Sequence, residues 1–85
     1  MQYVYILKSD EDDELYIGCT SDLKKRVVLH NSQKVPSTKK RGKFKLIFYE
    51  AFLNSHDAYM RERFLKTGWG RNNIKKLLGN YFINN

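Results

Sequence analysis

Two stretches, Tyr3-Val4-Tyr5-Ile6-Leu7 and Glu14-Leu15-Tyr16-Ile17-Gly18-Cys19, decide the fold of this 85-residue chain. Both are rich in β-branched and aromatic residues, which favour strands. The acidic run Asp10-Glu11-Asp12-Asp13-Glu14 joins them and predicts a short exposed connection, because so many like charges need water. The sequence therefore predicts strands at residues 2–8 and 14–19 that pair as a hairpin.

The residues after the hairpin predict a first helix and a third strand. Thr20-Ser21-Asp22 offers side chains that cap helix N-termini, and apolar residues follow at helical spacing, so a helix is expected at about 22–31. Residues 32–43 contain Ser, Pro, Thr, Gly and several cations and predict an exposed loop. Residues 45–52 are apolar enough to predict the central strand of a sheet.

Two further helices are predicted in the last third of the chain. Residues 54–57 supply a cap and a first-turn acid for the second helix, and Gly68-Trp69-Gly70 is expected to break it. An apolar stripe predicts a third helix that ends near Gly79; it consists of Ile74, Leu77, Leu78 and Tyr81. The order ββαβαα predicts a single α+β domain over residues 1–85, with a three-stranded, at least partly antiparallel sheet flanked by helices.

The charge is strongly positive and unevenly distributed. Sixteen Lys and Arg stand against nine Asp and Glu, a net charge of +7, and no acid occurs from Leu23 to Tyr49. A one-signed field of this kind attracts polyanions, nucleic acid first and an anionic membrane surface second. The candidate phosphate-binding residues are one lysine of the first helix and four cations of the loop; they are Lys25, Lys34, Lys39, Lys40 and Arg41. The loop has no aromatic residue before Phe44, which argues against stacked single-strand recognition there.

Several kinds of protein are excluded or disfavoured by the composition. Cys19 is the only cysteine, so the chain holds no internal disulfide and no Cys-based zinc cluster, and a reducing compartment is expected. The longest apolar run, Tyr3–Leu7, is far shorter than the roughly 18 residues of a membrane span. The sequence therefore predicts a soluble, cytoplasmic protein without a membrane segment.

The hairpin resembles the paired strands that name the GIY-YIG nucleases. Tyr3-Val4-Tyr5 stands in the place of the first motif and Tyr16-Ile17-Gly18 in the place of the second. Arg26, ten positions after Tyr16, and His30, four positions after Arg26, stand where that family has its first-helix arginine and a neighbouring site residue. The resemblance covers almost the whole chain, and it extends to the small stand-alone members related to the nuclease domain of the excision-repair C subunit.

The second predicted helix carries the remaining part of the resemblance. Ala58-x-x-x-Glu62-x-x-Leu65-Lys66 is similar to the segment that bears the family's metal-binding glutamate. The resemblance implies a metal-dependent endonuclease that hydrolyses phosphodiester bonds in nucleic acid, DNA more than RNA, and it points to DNA repair. It also implies one Mg²⁺ or Mn²⁺ ion on Glu62, and a site formed by Tyr5, Tyr16, Arg26, His30 and Glu62.

The roles implied by the resemblance agree with the chemistry of the side chains. A phosphodiester under attack gains negative charge, so catalysis needs a cation, a route for the proton of the attacking water and usually a divalent metal. Arg26 has the planar fork that grips phosphate oxygens, and Tyr16 is the candidate for activating the water. Tyr5 would orient water or phosphate, and His30 could relay the proton.

Each of these residues also has a plainer structural interpretation. Tyr5 and Tyr16 could pack the sheet, and His30 could help to end its helix. Arg26 could pair with Asp22, and Glu62 with Lys66, since both pairs are four residues apart. Taken together at the family's spacing, the residues favour a site over these separate roles.

Two features differ from the active members of the family. Cys19 stands where several active relatives have a lysine, so a mechanism that uses this lysine is not available. No segment of the sequence reads as a separate DNA-reading domain, so a protein partner is one expected source of specificity. The alternative function is a small basic module that binds nucleic acid without cutting it. A purely structural or protein-binding domain would leave the acid-free stretch around Arg26 unexplained.

Overall fold

The computed structural model describes residues 1–32 and 43–83 of the chain. Three strands, β1 (Gln2–Ser9), β2 (Leu15–Thr20) and β3 (Phe44–Phe52), form one sheet in the order β2-β1-β3. Both neighbouring pairs are antiparallel. The predicted α+β class, the hairpin and the three-stranded sheet are therefore confirmed, and the sheet is antiparallel throughout.

Four helices accompany the strands, and the order of elements is the predicted one except for one short additional helix. They are α1 (Leu23–Asn31), α2 (Ser55–Leu65), α3 (Gly68–Leu77) and α4 (Gly79–Ile83). The capping residues expected from the sequence are in use, because the side-chain oxygens of Asp22 and Asn54 accept hydrogen bonds from the first backbone amides of α1 and α2. The order ββαβαα is confirmed, and α4 extends it.

The prediction that residues 45–52 form the central strand is wrong, because β1 occupies that position. Four consecutive residues of β1, Val4 to Leu7, are buried, which requires cover on both faces of the strand. In β3 the burial is intermittent, and the Tyr49 side chain is half exposed. A bulge opposite Ile6 and Leu7 interrupts the alternation of β3. The apolar content of a strand therefore did not distinguish an edge strand from a central strand in this sheet.

The sheet carries different helices on its two faces. Val4 and Ile6 belong to a cluster with Ala58 of α2, Leu65 of α2 and Ile74 of α3. The alternate residues of β1, Tyr5 and Leu7, belong to a second cluster with Leu23 and Val27 of α1. Because successive strand residues point to opposite faces, α1 covers one face of the sheet, and α2 and α3 cover the other.

The boundary between α2 and α3 differs slightly from the expected helix break. Helix α2 ends at Leu65, and Gly68-Trp69-Gly70 forms the first turn of α3 instead of a spacer. Thr67 caps that turn by accepting a hydrogen bond from the Gly70 amide at 3.1 Å. A Cβ atom at Gly70 would collide with the backbone of Phe64 and Leu65, so only glycine lets the two helices approach this closely.

The last predicted helix is divided into two. The apolar stripe from Ile74 to Tyr81 begins in α3, which ends at Leu77, and continues in α4, which begins at Gly79. The helix was expected to end near Gly79, so its end is close to the prediction, and the short α4 was not foreseen. No helix within residues 1–32 and 43–83 is long and apolar enough to cross a membrane.

Candidate functional site

The register of the hairpin puts the two predicted site tyrosines on one face, but not opposite each other. Tyr5 faces Gly18 across the β1–β2 pair, and Tyr16 faces Leu7. Since Tyr5 and Leu7 share a face of β1, Tyr16 lies on that face too, in the diagonal position. This is the face covered by α1, the helix that carries Arg26 and His30.

Gly18 provides the space that the Tyr5 side chain occupies. A Cβ atom built on Gly18 would overlap the hydroxyl end of the Tyr5 ring. The ring therefore lies against the backbone of β2. The missing side chain at Gly18 allows the Tyr5 hydroxyl to occupy this position. Sequence reasoning treated Gly18 only as part of a motif, and its small size was the signal for this contact.

Tyr5 is joined to two residues of α1 through its hydroxyl oxygen. The Arg26 Nε atom donates a hydrogen bond to the Tyr5 oxygen at 3.3 Å, and the His30 Nε2 atom lies 3.0 Å from the same oxygen. Tyr5 is 2% exposed and His30 is 4% exposed, while Arg26 is partly buried. Arg26 and His30, four residues apart, project from α1 in the same direction. These three side chains form what we call the Arg26–Tyr5–His30 cluster.

The electrostatics of the cluster favour a neutral histidine. Burial lowers the pKa of His30, and the positive charge of Arg26 lowers this pKa further. A neutral imidazole can accept the Tyr5 hydroxyl proton at Nε2 while Arg26 donates to the Tyr5 oxygen. All three hydrogen-bonding groups are then satisfied. In this arrangement the Arg26 cation donates to the Tyr5 phenol, and the phenol donates to the neutral His30 base.

Phe44 connects Tyr16 to the same region. The Tyr16 and Phe44 rings meet edge to face, with centroids 5.1 Å apart and an interplanar angle of 88°. The His30 ring lies 6.2 Å from the Phe44 ring on the same face of the sheet. Phe44 is 5% exposed and is a residue that sequence reasoning missed. Its only signal was its place as the first aromatic residue after the basic loop.

Asn31 fixes the end of α1 to the start of β3 and was also missed. Its Oδ1 atom accepts a hydrogen bond from the Phe44 amide at 2.7 Å, and its Nδ2 atom donates to the Phe44 carbonyl at 3.2 Å. The side-chain amide thus satisfies both backbone groups of a buried residue, as a neighbouring strand would. It holds the helix turn that contains His30 against the sheet.

Glu62 is separated from the other four predicted site residues. It lies on α2, the helix of the opposite face, and its carboxylate accepts a hydrogen bond from Lys66 Nζ at 2.9 Å. Its side chain is 16% exposed and that of Lys66 is 52% exposed. Within residues 1–32 and 43–83, Glu62 makes no hydrogen bond or ion pair with Tyr5, Tyr16, Arg26 or His30. The structure thus contains the Glu62–Lys66 ion pair that was considered as an alternative to a role of Glu62 in the site.

The corresponding pairing of Arg26 with Asp22 is not formed. Asp22 caps α1 through its side chain, and Arg26 donates to Tyr5 instead. Lys25, beside Arg26, is exposed on α1. The other predicted phosphate-binding residues lie outside the described residues; they are Lys34, Lys39, Lys40 and Arg41. Cys19 lies on the face of the sheet that α2 covers, which is the face opposite His30. On that face its Sγ atom accepts a hydrogen bond from Gln2 Nε2 at 3.4 Å.

Glu62 is the predicted ligand of a divalent cation. No group of three or more His, Cys, Asp and Glu side chains that could hold a metal occurs there. Magnesium sites that act on phosphates need only one or two carboxylates, because water and substrate oxygens complete the shell. The Glu62 carboxylate already accepts one cation, the Lys66 ammonium group. Its donor chemistry therefore fits a one-carboxylate site that forms together with substrate.

Comparison with known proteins gives consistent matches. The family model described as "GIY-YIG catalytic domain" matches residues 1–76. A UPF0213 protein of Clostridium perfringens is 43% identical over 67 residues, which are 78% of this chain and 71% of that protein. A UPF0213 protein of Pediococcus acidilactici is 40% identical over 84 residues, covering 95% of this chain and 85% of the relative.

A solved structure agrees with these sequence matches. The solution NMR structure of a UPF0213 protein from Bacillus halodurans superimposes with a TM-score of 0.57 at 32% identity. The match covers 91% of this chain and 85% of that one. The matched fold thus includes both the hairpin and the helices that carry the candidate site.

Proposed function

Because the chain belongs to the GIY-YIG family, within its UPF0213 group, we propose that it is a metal-dependent endonuclease-like phosphodiesterase. Family membership indicates a nuclease-like function and binding of nucleic acid. Within this general function, we propose that the reaction is hydrolysis of a phosphodiester bond, in DNA more than in RNA. The observation that carries it is the Arg26–Tyr5–His30 cluster, in which a partly buried cation, a buried phenol and a buried neutral base are in hydrogen-bond contact on the sheet face that also bears Tyr16.

Arg26 is proposed to bind the scissile phosphate. Its Nε atom donates to Tyr5, and this is the one hydrogen bond of its side chain within the described part of the chain. The two terminal amino groups of the guanidinium remain for an anion, and a planar fork suits two phosphate oxygens. The hydrogen bond to Tyr5 holds the guanidinium in place before substrate arrives, so less side-chain entropy is lost on binding.

The two tyrosines and His30 are proposed to manage the attacking water. Tyr16 would activate the water, and Tyr5, held between Arg26 and His30, would orient water or phosphate. His30 is suited to relay a proton, because burial and Arg26 lower its pKa, and a neutral imidazole that carries its proton on Nδ1 accepts at Nε2. A proton that reaches the Tyr5 oxygen can therefore be passed to a base 3.0 Å away.

Glu62 is proposed to hold one Mg²⁺ or Mn²⁺ ion. When bound, such an ion would stabilise the negative charge that develops on the phosphate. Glu62 would have to release Lys66 to accept the ion, and the half-exposed lysine is free to turn into solvent. Glu62 itself is mostly buried, so its carboxylate is restricted in position by the packing of α2.

A second candidate function is a binding module that keeps the fold without cleavage. The arrangement of Glu62 favours it, since this carboxylate lies on the helix of the opposite face and is bound by Lys66. The cationic face around Arg26 would still bind phosphates without a metal. The two candidates therefore differ in whether Glu62 contributes to the chemistry.

Cleavage assays with matched variants distinguish these functions. Labelled duplex, branched and single-stranded DNA, and RNA of the same sequence, are incubated with the purified protein and Mg²⁺ or Mn²⁺. Arg26→Ala and Glu62→Gln test the two proposed roles, and Lys24→Ala is the control, because Lys24 is exposed on the same helix. The folding of each variant is checked by circular dichroism.

The nuclease proposal expects cutting by the wild type and Lys24→Ala, and at least a hundredfold loss in the other two variants. Salt-sensitive binding without cutting, weakened by Arg26→Ala and unchanged in Glu62→Gln, would establish the binding module instead. Equal cutting by all four proteins would place the activity elsewhere or in a contaminant, and the assignment would be wrong.

A further inference from the structure

Trp69 is the only tryptophan of the chain, and it lies on the surface. Its residue is 82% exposed, in the first turn of α3. Tryptophan has a large apolar surface that is usually at least partly buried. Trp69 belongs to neither hydrophobic cluster of the sheet, so the described core does not require it.

The packing of α3 explains why Trp69 is directed outward. The backbone at Gly70 is pressed against Phe64 and Leu65, so the Gly70 side of α3 faces α2. Ile74, four residues later on that side, is fully buried. Trp69 precedes Gly70 by one residue, which is a rotation of about 100° away from this buried side. The same contact that joins the two helices thus holds the indole in solvent.

The groove that Trp69 lines has cations and no acid among its described residues, whereas Asp13 and Glu14 share a neighbouring groove with the same cations. The indole lines a shallow groove together with Gly68, Arg71, Asn72 and Lys75. Arg71 and Lys75 are four residues apart and exposed, and neither forms an ion pair within residues 1–32 and 43–83. No acidic residue occurs anywhere after Glu62, whereas five Lys and Arg do. An exposed aromatic ring beside unpaired cations has the composition of a surface that stacks bases and binds phosphates.

We propose that this Trp69 groove binds a single-stranded segment of nucleic acid, with one unpaired base stacked on Trp69 and neighbouring phosphates on Arg71 and Lys75. The inference rests on the proposed function only in taking nucleic acid as the ligand. It narrows the substrate class to nucleic acids with an unpaired segment, such as branched, flapped or gapped duplexes. The basic loop before β3 lacks aromatic residues, so the stacking site and the loop have different roles.

A protein ligand fits the groove less well. Protein-binding patches centre on contiguous apolar surface, and the other residues of this groove are glycine, asparagine and two cations. Base stacking needs a single accessible ring face, and it tolerates any base sequence. The chemistry therefore favours a nucleobase with its phosphates over an apolar side chain of another protein.

The single tryptophan permits a direct test, because its fluorescence reports on Trp69 alone. The protein is titrated with oligodeoxyuridylate, with oligouridylate and with a blunt DNA duplex, without added divalent metal. Fluorescence quenching is measured in parallel with the anisotropy of labelled oligonucleotides. The variants are Trp69→Ala and Trp69→Phe, with Leu53→Ala as the control, because Leu53 is an exposed apolar residue outside the groove.

The proposal expects quenching by single strands and little quenching by the blunt duplex. Trp69→Ala is expected to weaken single-strand binding by roughly 5- to 150-fold, the range for loss of one base stack, with Trp69→Phe in between and Leu53→Ala unchanged. Arg71→Ala and Lys75→Ala should each lower the log–log salt slope by about 0.7. The stronger of the two oligonucleotides identifies the preferred sugar.

The outcomes separate this inference from the proposed nuclease activity. Single-strand binding without quenching, and equally tight in Trp69→Ala, would overturn the inference and leave the proposed function intact. Quenching and salt-dependent binding by a protein that cuts nothing would support the groove and count against the nuclease. Binding of single strands that does not depend on salt would also overturn the inference, since the cations would then have no part in it.

Discussion

The Tyr5 ring lies against the backbone of Gly18, its cross-strand partner, and leaves no room there for a side chain. This contact positions a hydroxyl that also meets Arg26 and His30. The geometry of the candidate site therefore depends on a residue that takes no part in its chemistry.

Gly18→Ala is expected to displace the Tyr5 ring and to separate the cluster. Overpacking of this kind typically costs about 1–3 kcal/mol of unfolding free energy. Urea denaturation measures the loss, and nucleic-acid binding should fall with it. The control is Gly79→Ala, where an added Cβ meets nothing within 4 Å and which lies outside the Trp69 groove. If Gly18→Ala and Gly79→Ala are equally stable, the proposed role of the Gly18 contact is wrong.

Protonation of His30 is expected to destabilise the fold. Because burial and Arg26 lower the pKa of His30 below its ordinary value of 6.5, the unfolded chain binds this proton more readily than the folded one. The stability due to neutral His30 is therefore complete above pH 6.5. It is lost as pH falls from 6.5 toward the folded pKa, with a slope of at most about 1.4 kcal/mol per pH unit.

The measurement is the free energy of unfolding at several pH values for the wild type and His30→Gln. Carboxylates contribute equally to both proteins, so the difference between the two curves isolates His30. The wild type should lose more stability on acidification than the variant. Parallel curves below pH 6.5 would show that His30 has the same pKa in both states.

Asn31→Ala is expected to loosen the junction between α1 and β3. The substitution leaves the amide and carbonyl of the buried Phe44 without their partner, at a cost of about 1–3 kcal/mol in stability. Asn73→Ala, exposed on α3, is the matched control and should change stability by less than about 0.5 kcal/mol. Thermal or urea unfolding distinguishes the two, and equal stabilities would contradict a structural role for Asn31.

Lys66→Ala is expected to strengthen the binding of Mn²⁺. The half-exposed lysine now occupies the Glu62 carboxylate, and its removal frees that oxygen for a metal. Stability should change little, since a pair of this kind contributes about 0.3–0.5 kcal/mol. Titration calorimetry with Mn²⁺ compares Lys66→Ala with Lys76→Ala as control, and Glu62→Gln should abolish binding. Unchanged affinity in all three would exclude Glu62 as a ligand in the free protein.

Gly70→Ala is expected to push α3 away from α2. The added Cβ collides with the backbone of Phe64 and Leu65, which cannot rotate aside as a side chain would. We expect a loss of 3 kcal/mol or more, at the upper end of the usual range for overpacking. Gly79→Ala, where nothing lies within 4 Å, is the control. Similar denaturation midpoints for these two variants would show that the helices can separate without loss.

The helix and strand positions could be predicted from the sequence because local signals were strong. Caps at Asp22 and Asn54 and the apolar segments of β1 and β2 marked the elements correctly. Strand order was harder to predict. An apolar strand is favoured at the centre, but β3 is an edge strand whose apolar residues pack on both faces of the sheet, with a bulge between the two sets. The centre belongs to β1, whose Val4 to Leu7 are buried on both faces.

The arrangement of the candidate site was predictable only in part. Arg26 and His30 are four residues apart, a spacing that puts two side chains on the same side of a helix. In the structure both side chains reach the Tyr5 hydroxyl oxygen. The register of the hairpin could not be read, because a strand buried on both faces has no alternation to fix it. The sequence did not predict which face of the sheet α2 would cover, so it did not predict that Glu62 would lie on the helix opposite α1. That face depends on how the chain crosses the sheet between β3 and α2.

The central position of β1 has a consequence for amide hydrogen exchange. This strand is paired on both edges and covered on both faces, so its amides can open only when β2 or β3 and the overlying helices leave together. Residues 4–7 should therefore exchange at the slowest rate of the molecule, through global unfolding alone. The backbone of Tyr5 then belongs to the last cooperative unit to open, so partial opening elsewhere in the chain leaves it in place.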